Sequence, residues 1–242
     1  NDAQGGQLWK MPAAGGASTQ LTTIPSQYAN PAFSPDGTKL VFIRGDNAEL
    51  RGHNMGDEGT HDILWMPAAG GTPQRVLSVD SRGSSRRMPR VFWNSTGERI
   101  FYTATEQTGP QTEKTSLYSV KPDGTDIYEQ LQFKFAEEIV PSPDGRWVAW
   151  NELHNAYLTL LPTAGRQTLE VSGDDAPGPA RQFTKDGGEW INWADGGRTV
   201  TWSYGPTFYR QNVDSLLAWW DRENLRNVKK KDDPKKAPPD SI

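Results

Sequence analysis

The chain has 242 residues with 24 glycines, 18 prolines and 34% apolar residues, a composition that calls for many short strands and turns around a modest core. Its net charge of -4 is small and spread along the sequence, so neither nucleic acid nor an anionic membrane is an expected partner, and no run approaches transmembrane length. The absence of cysteine excludes disulfides, thiol nucleophiles and cysteine metal sites.

In chain order, residues 7 to 24 read as one hairpin, with strands near Gln7 to Met11 and Thr19 to Thr22 around Ala13-Ala-Gly-Gly16. The next stretch, Asn30-Pro-Ala-Phe-Ser-Pro-Asp-Gly-Thr-Lys-Leu-Val-Phe42, is two apolar runs about a tight turn. In that turn Pro35 presets φ, Asp36 accepts from its own backbone, and Gly37 supplies a positive φ. The pattern returns at Val91 to Phe101, Ile139 to Ala149 and Ile191 to Trp202, with turn glycines Gly37, Gly97, Gly145 and Gly197 spaced 60, 48 and 52 residues apart. A second hairpin follows in register, since Leu8-Trp-Lys-Met-Pro-Ala-Ala-Gly-Gly16 recurs at Leu64 to Gly71, Leu117 to Gly124 and Leu158 to Gly165.

Each repeat is therefore a four-stranded antiparallel sheet, and such a sheet buries both faces only against its neighbours around an axis. The expected fold is an all-β propeller, an incomplete part of a larger one: half blade 7–24, blades 28–79, 88–134 and 137–172, and a partial blade 188–212. Trp65, Trp93, Trp147, Trp150, Trp190, Trp193 and Trp202 fall inside predicted strands, where they fill the space between sheets. The end repeats can close a ring of four blades or remain open, and the strand count favours an open array completed by polypeptide outside the chain. Residues 213–228 carry apolar positions at helical spacing, and 229–242 read as a charged, Pro-rich linker that implies a continuation. A start at Asn1 without Met leads to the expectation of a removed leader or of missing residues.

The run aromatic-Ser-Pro-Asp-Gly followed by apolar-aromatic-x-x-Pro-x-x-Gly-Gly resembles the repeat of TolB-type propellers over residues 7 to 212. The stretch Gly188 to Tyr209 with the charged tail is most similar to the propellers fused ahead of bacterial amidohydrolase domains. That resemblance implies a non-catalytic propeller portion of a secreted or periplasmic metal-dependent amidohydrolase. C–N hydrolysis and a divalent, zinc-like metal would then belong to a partner catalytic domain or a second chain that completes the propeller. Alternatives are a Tol-like periplasmic interaction propeller and the gating propeller of a prolyl-oligopeptidase-like serine peptidase; a homo-oligomer is a further option.

Within the chain there is no Gly-x-Ser-x-Gly elbow, His-Glu-x-x-His, His-x-His or Walker loop, so no residue receives a catalytic role and no metal site is assigned. Strand alternation puts the tight turns on one face and the connections Gly45 to His61, Asp80 to Arg87, Thr105 to Lys114 and Ser172 to Gly187 on the other. The polar cluster of the first connection makes His53, Asp57, Glu58, His61 and Asp62 candidates for substrate or partner contact. Arg86 and Arg87 join them from the next connection, where guanidinium groups suit a carboxylate or phosphate. His154 stands between predicted strands without a partner motif and reads as surface.

Overall fold

The repeats begin as hairpins because their turn sequences satisfy their own polar groups. The computed structural model describes residues 6–45, 60–80, 88–109, 112–162, 167–173 and 180–232, with side chains of the last segment as far as 223. At the first turn the Ser34 hydroxyl donates to Asp36 Oδ1 at 2.5 Å, the Thr38 amide donates to the same oxygen at 3.0 Å, and the Lys39 amide donates to Ser34 Oγ at 2.9 Å. Ser142 and Asp144 repeat this set in the third repeat, while in the second Asn94 Oδ1 accepts the amides of Glu98 and Arg99, both at 2.9 Å. The turn glycines Gly37, Gly97, Gly145 and Gly197 stand at φ of 70°, 71°, 72° and 96°, the left-handed region in which a Cβ is costly.

The strands are β1 (Trp9–Lys10) and β2 (Thr19–Gln20), which pair only with each other as a ladder. Blade one comprises β3 (Tyr28–Phe33), β4 (Lys39–Gly45), β5 (Thr60–Pro67) and β6 (Gln74–Asp80). Blade two comprises β7 (Val91–Trp93), β8 (Ile100–Gly109), β9 (Thr112–Val120) and β10 (Tyr128–Phe133). Blade three holds β11 (Ala136–Pro141), β12 (Trp147–Glu152) and β13 (Asn155–Leu160), followed in the chain by β14 (Leu169–Val171) and β15 (Arg181–Gln182). Blade four is β16 (Glu189–Ala194), β17 (Thr199–Tyr204) and β18 (Thr207–Asn212), after which α1 (Val213–Asp232) begins.

Blade three departs from the expected span of 137–172. Its fourth strand is β15, which pairs antiparallel with β13, whereas β14 runs parallel to β10 as a fifth, outermost strand of blade two. The physical reason is what each segment can bury: Val171 enters the core shared by blades two and three, and the Thr168 hydroxyl donates to the Glu129 carbonyl at 3.1 Å. The outer edge of β13 is thereby left to Arg181–Gln182, and the Phe183 amide extends the pairing to the Ala156 carbonyl at 2.9 Å. The expected loop Thr105 to Lys114 also differs, because β8 and β9 run on through it as a long hairpin. Its threonines and its Lys114–Glu106 pair at 3.5 Å give polar residues cross-strand partners.

Both faces of the interior blades are buried, so β4 and β12 carry consecutive apolar residues at Leu40 to Ile43 and Trp147 to Trp150, while β8 and β9 of blade two bury threonines and serines among theirs. In β4, Leu40 and Phe42 meet Leu21 and Leu8 of the amino-terminal hairpin, while Val41 and Ile43 meet Val91, Trp93, Ile100 and Tyr102 of blade two. In β12, Val148 and Trp150 pack back onto Phe101, Leu117 and Phe133, while Trp147 and Ala149 pack forward onto Ile191, Val200 and Trp202. Trp150 is fully buried and stacks on Tyr157 with ring centroids 5.4 Å apart.

Successive turns nest as well. A Cβ on Gly145 would lie 2.8 Å from Ser95 Oγ and one on Gly197 2.8 Å from the Asp144 carboxyl carbon, whereas one on Gly37 meets nothing within 4 Å. The helix was expected over 213–228 and extends to Asp232; Val213, Leu216 and Trp220 enter the core of blades three and four. The Trp220 indole donates to the Gln182 carbonyl at 3.0 Å, fastening α1 to the edge strand β15. The remainder of the linker expected over 229–242, residues 233–242, lies outside the described residues.

Candidate functional site

Of the residues singled out in the sequence, His53, Asp57, Glu58, Arg86 and Arg87 lie outside the described residues. His61 and Asp62 open β5, and both are buried. Asp62 is tied across three strands: Arg44 of β4 donates to Oδ2 at 2.9 Å and Ser78 of β6 donates to Oδ1 at 2.6 Å. That arrangement holds the edge of blade one together at the base of the first long connection. A carboxylate so paired in a buried site is costly to release, because removal of one partner strands the other charge.

The same face carries a cleft that the residue-type survey missed. It has a volume of about 870 Å³ and lies between the overhanging β8–β9 hairpin and the first residues of blade three. Gln107, Glu113, Lys134, Phe135, Leu153 and Glu170 are among the residues that line it. Phe135 and Leu153 are both at least half exposed at its rim, an apolar pair with carboxylates and lysines around it. Leu153 and His154 form the β12–β13 turn at φ of 49° and 74°, a pair of left-handed residues where Asn-Gly is the usual choice. That turn projects Leu153 outward, and its only sequence signal was an unusually bulky dipeptide between two strands.

Along the first strand of each blade a second constellation emerges. Asn30, Arg90, Glu138 and Trp190 each stand seven residues before a turn glycine. The Asn30 amide donates to the Pro89 carbonyl of blade two at 2.8 Å. Arg90 donates to Glu138 of blade three at 3.0 Å, and the other Glu138 oxygen accepts the Ile191 amide of blade four at 3.0 Å. One register position thus fastens each blade to the next.

Ionisation is perturbed mainly at turns and in the β8–β9 region. Hydrogen bonds from the Ser34 hydroxyl and the Thr38 amide and hydroxyl hold Asp36 down to about 2, and hydrogen bonds from Thr125 and Thr199 lower Asp123 and Asp195 respectively. Burial pushes the Tyr102 phenol up to about 12, and burial with the carboxylates of Glu129 and Glu106 raises Tyr118. Both phenols stay protonated, and that of Tyr118 donates to Glu106 at 3.1 Å, which suits structure better than proton transfer near neutral pH. Among the described residues no group of three or more His, Asp or Glu side chains is placed to hold a metal ion.

No family model matches the chain, and no curated protein matches its sequence. Similar folds are found among solved structures. TolB from Acinetobacter baumannii superposes with a TM-score of 0.54 at 15% identity, covering 82% of this chain and 44% of that protein. The β-propeller domain of the Trilobed protease from Pyrococcus furiosus gives 0.44 at 11% identity, covering 81% of this chain and 55% of that one. Pyrococcus horikoshii acylaminoacyl peptidase gives 0.44 at 13% identity, over 81% of this chain and 32% of the enzyme. The fold is thus a TolB-like β-propeller, and the chain spans less than half the length of the TolB it resembles.

Proposed function

We propose that this chain is the non-catalytic propeller portion of a larger bacterial hydrolase of the metal-dependent amidohydrolase type, secreted or periplasmic, in which it shapes substrate access and assembly. The observation that carries this reading is the pair of incomplete blades. The hairpin β1–β2 supplies two strands and β16–β18 three, and among the described residues no ladder joins them. A propeller blade is stable when both faces are covered. Polypeptide beyond these 242 residues, a catalytic domain or a second chain, would supply that cover. The amidohydrolase assignment rests on the likeness of Gly188 to Tyr209 and the charged tail to propellers of that class. As that likeness implies, C–N bond hydrolysis and its zinc-like metal are assigned to the catalytic domain, where the His-x-His motif of that class would lie.

The test is to purify the natural polypeptide that carries this sequence, determine its intact mass, and assay amide hydrolysis before and after chelation. A mass well above 26.9 kDa, with hydrolysis lost on chelation and restored by zinc, is the expected result. A lone 26.9 kDa chain without hydrolytic activity would overturn it. In that case the cleft beside Phe135 and Leu153 favours the second reading, a Tol-like module that takes a peptide or lipoprotein segment on its long-connection face.

No helix is long and apolar enough to cross a membrane among the described residues.

A further inference from the structure

Trp190 is the member of the fastening series that breaks the pattern. Its register equivalents Asn30, Arg90 and Glu138 each bond to an adjoining blade, at or just before its first strand, yet Trp190 is 75% exposed. Its backbone stands at φ 56°, where a bulky non-glycine residue is strained. The strain has a local origin in the β16–β17 register shift between Glu189 and Asn192. Blade one has the same device, a shift between Ala29 and Ala32 with Asn30 at φ 50°, and there it turns the side chain onto the next blade. The backbone of blade four is therefore already set to present Trp190 to a neighbour.

The neighbour's chemistry follows from how indoles are used elsewhere in the molecule. Trp65 donates its indole N–H to the Pro122 carbonyl of blade two at 3.1 Å, and Trp193 donates to the Val140 carbonyl of blade three at 3.0 Å. In both, a flat apolar ring lies between sheets while its single donor caps a backbone carbonyl of the adjoining blade, in the β9–β10 turn for Trp65 and in β11 for Trp193. Apart from Phe208 the remainder of this end face is polar, because Thr201 and Ser203 occupy the positions of Val41 and Ile43, with Arg210 and Asn192 beside them. An aromatic anchor within a polar surround is the usual form of an interface between separately folded units.

We infer that Trp190 is the docking residue for the first strand of a further blade of the same repeat, contributed by polypeptide outside these 242 residues. This deepens, and rests on, the reading of the chain as part of a larger propeller protein. The indole covers that strand and donates to one of its carbonyls.

Photo-crosslinking tests it in the natural polypeptide, with Trp190→p-benzoylphenylalanine as the probe and the product mapped by tandem mass spectrometry. The expected product joins position 190 to a segment outside this chain that leads directly into a Ser-Pro-Asp-Gly-type turn. A crosslink to a non-repeat domain, to a second copy of this chain, to a residue within it, or no crosslink in a polypeptide of larger mass, would overturn the inference and leave the hydrolase reading standing. An intact mass of 26.9 kDa would remove the hydrolase reading itself.

Discussion

The junction between blades three and four and the outer face of blade four use the same strands to opposite ends. On β17, Val200 and Trp202 point back into a core with Trp147, Ala149 and Leu158, while the alternate residues Thr201 and Ser203 point outward beside Arg210 and Phe208. In blade one the outward positions are Val41 and Ile43, and blade two covers them. The difference shows that the period of two decides which residues share a face, whereas the neighbour decides what those residues must be. An interior face holds its sheet by apolar burial, and the end face holds it by pairs such as Arg210–Asp195 at 3.0 Å, which contribute little when exposed.

Core truncation separates the two regions most widely. Trp150→Ala should cost about 3–5 kcal/mol, since it empties a site packed by Phe133 and Tyr157, while Phe208→Ala on the 66% exposed end face should stay within about 0.5 kcal/mol. Chemical denaturation of the two variants measures both; equal losses would show that the end face is as tightly packed as the interior.

The nested turns sharpen the contrast. Gly37→Ala carries only the left-handed strain, about 1 kcal/mol, because the site is open. Gly124→Ala, also at positive φ, must in addition displace the Val76 carbonyl of the preceding blade, and such overpacking adds about 1–3 kcal/mol. A thermal midpoint for Gly124→Ala no lower than that of Gly37→Ala would count against close packing of that turn on β6 of the preceding blade. Smaller again is Glu138→Gln: it keeps an acceptor for the Ile191 amide but removes the charge facing Arg90, for an expected loss of about 1 kcal/mol that shrinks with added salt.

The smallest effect is one of pH. Asp36 is lowered to about 2 in the folded chain, so the stability it contributes is complete above the ordinary carboxylate range near 3.8 and is lost as pH falls from there through about 2. Asp36→Asn should flatten the stability profile within that window alone, and an Asp36 carboxyl titrating at its ordinary value by NMR would remove the Ser34 and Thr38 hydrogen bonds from the turn.

The turns were the legible part of the sequence, because Ser-Pro-Asp-Gly fixes both dihedrals and hydrogen bonds locally and the positive φ of Gly37 and Gly145 follows from it, while Gly97 and Gly197 reach positive φ in the divergent turns Asn-Ser-Thr-Gly and Ala-Asp-Gly-Gly. Strand partnership was less legible where segments are two or three residues long. Nothing in Leu169–Val171 announces that it joins blade two while Arg181–Gln182 takes its place, since the choice is made by burial of Val171 between sheets. Trp190 misled for a related reason: alternation placed it inside a strand with the packing tryptophans, and the register shift turned it out to solvent. The cleft was hidden because Phe135 and Leu153 come from connections only two residues long, whereas polar density drew attention to the longer ones.

Amide hydrogen exchange tests the open-array claim most directly, comparing the 242-residue chain with the natural polypeptide that contains it. Peptides covering 147–160 should be protected equally in both, since that sheet is buried on both faces in this chain. Peptides covering 9–20 and 189–212 should exchange faster in the short chain and gain protection in the long one. No gain at either end, in a polypeptide of larger mass, would contradict it.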